Sequence, residues 1–132
     1  MADPKPAGRS HVFGALFLAL GATAGALGAH ALEDVLTPNR MESWSTASLY
    51  LLVMGAALVG AHCQSATQNS RRALQVVAAG TVMFSGSIIA LVMLATLDLV
   101  PGLRTVLGPM TPVGGVLMIG GWIVWAWLQR QR

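Results

Sequence analysis

The sequence predicts an all-α membrane protein, a bundle of four transmembrane helices arranged as two hairpins. Three observations lead to this prediction. Hydrophobic residues make up 55% of the chain and charged residues only 10%, far below the roughly 25% charged fraction of soluble domains. The apolar residues gather into long runs, each close to the roughly 20 residues that a helix needs to cross a bilayer. Threonine–proline pairs, which are typical helix starts, precede two of these runs.

The first ten residues are polar and contain two prolines, so we expect residues 1–10 to be a disordered tail. The domain is then a single transmembrane unit at 11–132. Its first apolar run follows Lys5 and Arg9 and resembles a signal peptide. The run is longer than the roughly 7 to 15 residues of a signal-peptide core. We therefore interpret it as helix one.

Glycines mark the face on which helix one is expected to pack. Helical spacing brings Gly14, Gly21, Gly25 and Gly28 to one side. Small residues let another helix approach to backbone contact, which substitutes in lipid for the missing hydrophobic drive between helices. The same packing role is expected for glycines of helices three and four, namely Gly86, Gly114 and Gly121.

Flanking signals place the other helices. Thr37-Pro38 and Thr111-Pro112 are expected to begin helices two and four, since a threonine N-cap followed by proline favours a helix start. The segment 98–112 contains three prolines and is expected to form a structured loop with at most a short interfacial helix. We therefore expect helices at about 12–33, 38–62, 73–97 and 112–128.

Tryptophans and basic residues indicate the orientation in the bilayer. Trp44, Trp122, Trp125 and Trp127 are expected at the membrane interfaces. Four spans place both termini on one side, and six of the eight basic residues would share that side. The positive-inside rule then predicts that the N- and C-termini are cytoplasmic. The six residues are Lys5, Arg9, Arg71, Arg72, Arg130 and Arg132.

Several stretches resemble one known family, the YgdD-like small membrane proteins (domain of unknown function 423). The resemblance implies a four-helix inner-membrane protein whose relatives have no established activity. Such relatives commonly carry a histidine four residues after the tyrosine of helix two, where this chain has Met54. The matching stretches are GALGAHALEDVLTP at 25–38, Trp44, Thr46, Ala47 and Tyr50, FSGS at 84–87, GPMTPVGG at 108–115, and Gly120 to Trp122.

His30 is the ionisable residue singled out near the end of a span, where such groups usually have a partner. Its neutral imidazole is expected to hydrogen-bond within a polar network that includes Tyr50, Ser85 and Ser87. One alternative is a ligand role, in which His30 and Met54 bind haem or a soft metal, because both side chains offer a lone pair. The other is a role of His30 in proton relay or substrate contact.

Other chemical signatures are absent from the sequence. It has no phosphate-binding glycine loop, no zinc-ligand spacing and no hydrolase nucleophile turn. We therefore predict no enzymatic activity, no metal, no cofactor and no nucleic-acid partner. The expected role is structural or accessory in the lipid bilayer, as a homo-oligomer or as a subunit of a larger membrane complex. Two alternatives stay open: an oligomeric transporter of small molecules, ions or lipids, and a haem-, metal- or pigment-binding subunit that uses His30.

Overall fold

The structure, a computed structural model, describes residues 9–99 and 101–131. Within these residues it contains four α-helices and no strand: α1 Ser10–His30, α2 Pro38–Gln64, α3 Gln68–Thr96 and α4 Pro101–Arg130. All four are long and apolar enough to cross a membrane. The prediction of an all-α chain with four membrane-length helices is thereby confirmed.

The helices pack as two antiparallel hairpins, α1 with α2 and α3 with α4, which meet through α2 and α3. The central core lies where these two middle helices touch. It is formed by the buried side chains of Leu51 and Leu58 from α2 and of Leu74 and Val77 from α3. Helix α1 makes a small contact with α3, and α1 and α4 do not pack on each other.

Two glycines set the distance between α1 and α2. A Cβ atom built on Gly14 would lie 2.8 Å from the carbonyl oxygen of Gly55 and 3.1 Å from the backbone nitrogen of Val59. In the opposite direction, a Cβ on Gly55 would lie 2.8 Å from the oxygen of Gly14 and 2.9 Å from the nitrogen of Leu18. Real Cβ atoms do not approach backbone so closely, so only glycine permits this crossing.

The second hairpin repeats the same crossing. A Cβ on Gly80 would lie 2.7 Å from the oxygen of Gly114 and 2.7 Å from the nitrogen of Met118. A Cβ on Gly114 would lie 2.8 Å from the oxygen of Gly80 and 2.5 Å from the nitrogen of Phe84. In each hairpin, the backbone nitrogen that such a Cβ would contact belongs to the residue four positions after the glycine of the facing helix. The two hairpins are therefore an internal structural repeat, a relation that the sequence only weakly suggests.

The correspondence between the two hairpins continues beyond the glycine crossings. In the first hairpin, Gly21 faces Leu52, and a Cβ on Gly21 would lie 3.0 Å from the Leu52 nitrogen. Gly21 lies seven residues after Gly14, and Leu52 lies three residues before Gly55. The residues with the same sequence offsets from Gly80 and Gly114 are Ser87 and Thr111, whose hydroxyl oxygens are 2.7 Å apart. A glycine against a leucine in one hairpin is thus replaced by a hydrogen-bonded hydroxyl pair in the other.

Two helices begin earlier than their apolar runs suggest. Helix α1 begins at Ser10, which is 1% exposed, so Ser10 belongs to the folded core and not to the predicted tail; residues 1–8 lie outside the described residues. Helix α3 begins at Gln68, where the side chain of the N-cap Thr67 accepts a hydrogen bond from the Ser70 backbone N–H at 3.2 Å. Polar first turns fold as helix once capped, although hydropathy does not reveal them.

The predicted loop at 98–112 is wrong, because residues 101–112 form the beginning of α4, which has 30 residues. The chain reverses between Thr96 and Pro101, with Asp98 in the left-handed region at φ 53°, which aspartate tolerates better than most residues. Pro109 and Pro112 lie inside the helix. Each removes one backbone hydrogen bond, but transmembrane helices tolerate proline where neighbouring groups compensate.

The predicted tryptophan belt also requires correction. Trp44 is 6% exposed and Trp127 is 59% exposed, so only the second has the exposure of an interfacial residue. Trp122 and Trp125 are half-buried and pack edge to face with ring centroids 5.7 Å apart. Three of the four indoles therefore join helices together, because each buried N–H finds an acceptor on another helix or its adjoining loop.

We expect Gly114→Ala to destabilise the protein, because the new methyl group would meet the backbone of α3 on three sides. Overpacking of this kind costs about 1–3 kcal/mol, partly offset by the higher helix propensity of alanine. Thermal or denaturant unfolding in detergent, followed by circular dichroism, measures the effect. Gly108→Ala on the same helix is the matched control, since a Cβ there meets nothing within 4 Å. Equal stability of both variants would contradict the crossing.

Candidate functional site

An open groove of about 500 Å³ lies between α1 and α2. It lies at the end of the bundle that carries the connection 31–37, and we call it the loop-end groove. Its floor is formed by Gly25, Gly28 and Ala29, and Leu49 and Leu52 lie along its apolar side. The volume falls within the roughly 300–1,000 Å³ typical of small-molecule sites.

Two interhelical hydrogen bonds hold the helices beside the groove. The Trp44 indole Nε1–H donates to the carbonyl oxygen of Ala24 at 2.7 Å, and the Ser48 hydroxyl donates to the carbonyl oxygen of Gly21 at 2.8 Å. Both donors are buried. Gly28 lies against the indole ring, since a Cβ there would come within 2.9 Å of it. The polar atoms of Trp44 and Ser48 are therefore satisfied within the protein and leave the depth of the groove apolar.

The polar groups left at the groove are the carboxylate of Glu33 and the hydroxyl of Ser45. Both residues are exposed, and neither makes a hydrogen bond or an ion pair with another described residue. Met41 completes the lining near them. The groove thus has an apolar floor and one acidic, hydrogen-bonding edge. This arrangement suits an amphiphilic molecule with an apolar chain and a head group that carries N–H donors.

The internal repeat shows what packing alone requires at these positions. The residues of the second hairpin that correspond to Gly25 and Gly28 are Leu91 and Leu94. The same hairpin geometry therefore accommodates large side chains at this level. The absence of side chains at Gly25 and Gly28 is a specific property of the first hairpin. Its fold does not require this absence at Gly25, where a Cβ meets only the Ser48 hydroxyl at 3.2 Å.

A second, smaller crevice of about 280 Å³ lies between α1 and α3 and is almost entirely apolar. Phe17, Leu20 and Ile89 line it together with Gly86. The packing role predicted for Gly86 is wrong, because a Cβ on this residue would meet nothing within 4 Å. Helix α3 uses Gly80, one and a half turns earlier, for close contact, which leaves Gly86 at an open surface.

The structure places the other predicted packing glycines in three ways. Gly14, Gly21 and Gly28 face α2 at backbone or ring distance, and Gly114 faces α3. Gly121 also faces α3, where a Cβ would lie 3.0 Å from the nitrogen of Val77. Gly25 lies at the edge of the helix contact and opens into the loop-end groove. The glycine face of α1 therefore serves both the crossing and the groove.

The predicted ligand pair of His30 and Met54 is not brought together. Met54 lies next to Gly55, which faces Gly14, whereas His30 is sixteen residues beyond Gly14 on α1. At 1.5 Å per residue this separates the two side chains by about 24 Å along the bundle. Met54 instead accepts a hydrogen bond from the Trp122 indole N–H at 3.3 Å. One cofactor cannot be bound by both residues.

The predicted polar network is not formed either. His30 is exposed at the end of α1 and bonds to none of the described residues. Tyr50 packs against Phe84, with ring centroids 4.6 Å apart and the ring planes tilted by 47°. Ser87 bonds to Thr111 across the second hairpin, and the buried Ser85 hydroxyl makes no hydrogen bond in this structure. The four residues lie on three helices and at different depths, which residue type and span assignment could not reveal.

The opposite end of the bundle, which carries both termini, contains a polar cluster that the sequence did not predict. The Ser10 hydroxyl and the Nδ1 atom of His62 are 2.8 Å apart, and the His11 and His62 rings are 4.4 Å apart. These contacts join the beginning of α1 to the end of α2. A sequence signal existed, because Ser10 and His11 precede the apolar run and His62 ends its partner, so an antiparallel hairpin must bring them close.

The loop between α2 and α3 extends this cluster to α4. The Ser65 hydroxyl accepts a hydrogen bond from the Trp125 indole at 2.8 Å, and the Ser65 carbonyl accepts one from Arg71 Nε at 3.1 Å. The Gln129 amide donates to the carbonyl oxygen of Gln64 at 3.0 Å. All four helix ends are thus tied together at the termini side. The contacts are of a structural type, linking side chains to loop backbone.

Within residues 9–99 and 101–131, no group of three or more His, Cys, Asp or Glu side chains is placed to bind a metal ion. The ion pair at the loop end joins Arg104 and Asp98 across 3.9 Å, with both side chains substantially exposed. Such an exposed pair contributes little stability. The candidate site with the clearest shape is the loop-end groove.

Sequence comparison relates the chain to uncharacterised membrane proteins. A family model described as "Protein of unknown function (DUF423)" matches residues 24–115. The chain is 36% identical over 99 residues to a UPF0382 membrane protein of Schizosaccharomyces pombe, covering 74% of this chain and 81% of that protein. It is 34% identical over 115 residues to a UPF0382 membrane protein of Staphylococcus aureus, covering 86% and 88%.

A UPF0382 membrane protein of Staphylococcus epidermidis is 35% identical over 115 residues, which cover 86% of this chain and 88% of that protein. No solved structure matches the chain significantly. The family model runs from Ala24 to Gly115, so it spans the loop-end groove and the crossing of Gly80 with Gly114, and it includes Gly55 but not Gly14 of the first crossing. This membrane protein therefore belongs to the DUF423 family, whose function is unknown.

Proposed function

We propose that the protein is a structural or accessory component of an assembly in the bacterial cytoplasmic membrane. The observation that carries this proposal is how its buried polar side chains are used. Trp44 and Ser48 join α1 to α2, Ser87 joins α3 to α4, and Trp125 joins α4 to the α2–α3 loop. The buried hydroxyl and indole N–H groups are therefore occupied by contacts that hold the helices together, as expected of a structural component.

The distribution of charge supports cytoplasmic termini. Among the described residues, Arg9, Arg71, Arg72 and Arg130 belong to the termini end of the bundle, whereas Arg40 and Arg104 belong to the loop end. Lys and Arg accumulate on the cytoplasmic side of membrane proteins. The exposed Glu33, Asp34, Glu42 and Asp98 lie at the loop end, which is then the outer side.

The native cysteine provides a topology test. Cys63 is exposed near the end of α2, so with cytoplasmic termini it should react with a membrane-impermeant maleimide only after the membrane is permeabilised. The matched variant carries Ala31→Cys and Cys63→Ser. Ala31 is exposed at the loop end and should be labelled in intact spheroplasts. Labelling of Cys63 from outside would reverse the proposed orientation.

The accessory role predicts stable association with other membrane protein. Tagged chain extracted from native membranes in a mild detergent should migrate above the monomer and retain a stoichiometric protein component, either further copies of itself or a different subunit. Quantitative mass spectrometry and native gels measure this, with a tagged unrelated four-helix membrane protein as control. A monomer with no component enriched above that control would refute the accessory role.

A second candidate function, binding of an amphiphile, is favoured by the loop-end groove. Gly25 and Gly28 of its floor lack side chains where the second hairpin carries leucines, and its edge presents the exposed Glu33 carboxylate and Ser45 hydroxyl. A lipid whose head group carries an amine matches both parts, because the carboxylate accepts charge-assisted hydrogen bonds and the acyl chain is covered by Leu49 and Leu52.

We expect Gly25→Leu to fill the groove and to lower the amount of amine-headed lipid that copurifies, as seen by native mass spectrometry. The substitution introduces the residue type found at the corresponding Leu91, and its Cβ meets only the Ser48 hydroxyl. The matched control is Gly60→Leu, which meets nothing within 4 Å. Equal lipid retention by the two variants, at equal thermal stability, would exclude the groove as the binding site.

A further inference from the structure

One helix–helix contact that the internal repeat would lead us to expect is absent within the chain. The two hairpins meet because α2 of the first packs on α3 of the second. In the repeat, α1 corresponds to α3 and α2 corresponds to α4, as the glycine crossings establish. The equivalent of the α2–α3 contact would therefore be a contact between α4 and α1. These two helices do not pack on each other within the chain.

The free face of α4 corresponds to the face by which α2 packs on α3. On α2 that face contains Leu51 and Leu58, which are at most 6% exposed in the central core. On α4 the corresponding residues are Met110 and Leu117, which are half-buried, and their neighbour Val113 is 49% exposed. We call this set the α4 outer face: Val106, Met110, Val113, Leu117 and Gly120.

The matching face of α1 is also free. On α3, Thr81 and Ser85 are both 0% exposed and continue, at helical spacing, the row of Leu74 and Ala78, which belong to the core shared with α2. The corresponding positions on α1 are Ala15 and Ala19, which are exposed. Further along the same face, Ile88 of α3 is replaced by an exposed alanine of α1. We call this set the α1 alanine face: Ala15, Ala19, Ala22 and Ala26.

We propose that the α4 outer face of one copy packs against the α1 alanine face of a second copy, continuing between chains the contact that α2 and α3 make within the chain. This inference rests on the proposed role as a component of a membrane assembly and names the partner as the chain itself. Copies inserted with the same orientation present α4 and α1 antiparallel to each other, as α2 and α3 are.

The chemistry of the two faces suits such a contact. Alanines let a neighbouring helix approach closely, and β-branched and longer side chains on the other helix fill the space between them. No charged residue belongs to either face. Because the two faces differ, the contact is heterologous, and repetition leads to a closed ring or an open row in the membrane plane.

The register follows from the internal contact. Tyr50 packs against Phe84, and this contact places Leu51 near the level of Ser85 along the bundle. The corresponding residues are Met110 on α4 and Ala19 on α1. These two positions should therefore lie close together across the interface between copies, although they are far apart within one copy.

Disulfide cross-linking in native membranes tests this pairing in a Cys63→Ser background. The double variant Ala19→Cys with Met110→Cys should form a ladder of multimers on mild oxidation. Coexpression of the two single variants with different tags should give mixed dimers only. The control pairs Met110→Cys with Leu20→Cys, because Leu20 is 56% exposed on a different side of α1, and it should cross-link at least tenfold less.

Absence of the ladder, equal cross-linking through Leu20→Cys, or efficient dimers from either single variant alone would each overturn the proposed pairing. The last of these results would indicate a symmetric contact between identical helices. The accessory role fails separately, when the native chain is a monomer without partners. A chain that copurifies with a different subunit and gives no ladder would therefore refute this inference and leave the accessory role in place.

Discussion

The structure depends on direct contact between backbones at the two glycine pairs, Gly14 with Gly55 and Gly80 with Gly114. In lipid, apolar side chains gain little by leaving the acyl chains for one another, so helix association relies on close packing and hydrogen bonds. Backbone contact brings donors on one helix within reach of carbonyls on the next. The bonds from Trp44 and Ser48 to α1 carbonyls are possible only because the helices are already this close.

The fold was largely predictable from the sequence, because hydropathy and length report directly on the helices that can span a membrane. The four runs and the packing character of the α1 glycines needed no tertiary information. The segment 98–112 was not predictable in this way, since proline and glycine normally indicate a loop. In this chain Pro109 and Pro112 are accommodated within α4, which depends on neighbouring helices that the local sequence does not describe.

The candidate site was less predictable, because it depends on which residues of different helices share a depth. His30, Tyr50, Ser85 and Ser87 were grouped by polarity, yet the antiparallel register separates them. The register itself was partly visible. Trp44, Ser48 and Gly55 lie on one face of α2 with spacings of four and seven, which match the glycine spacing of α1. Comparing those two patterns would have identified the hydrogen-bonded α1–α2 seam beside the loop-end groove.

The two hairpins have the same type of glycine crossing but differ in the residues around it. This difference distinguishes positions that packing explains from positions that it does not explain. The second hairpin fills the loop-end level with Leu91 and Leu94, which is the expected solution when packing alone matters. The first hairpin has Gly25 and Gly28 there and holds its helices with buried hydrogen bonds instead. Exchanging leucines for glycines removes dispersion contacts. A stability argument therefore explains the second hairpin and, in the first, the contact of Gly28 with the Trp44 ring. It does not explain Gly25, the position that the proposed amphiphile would fill.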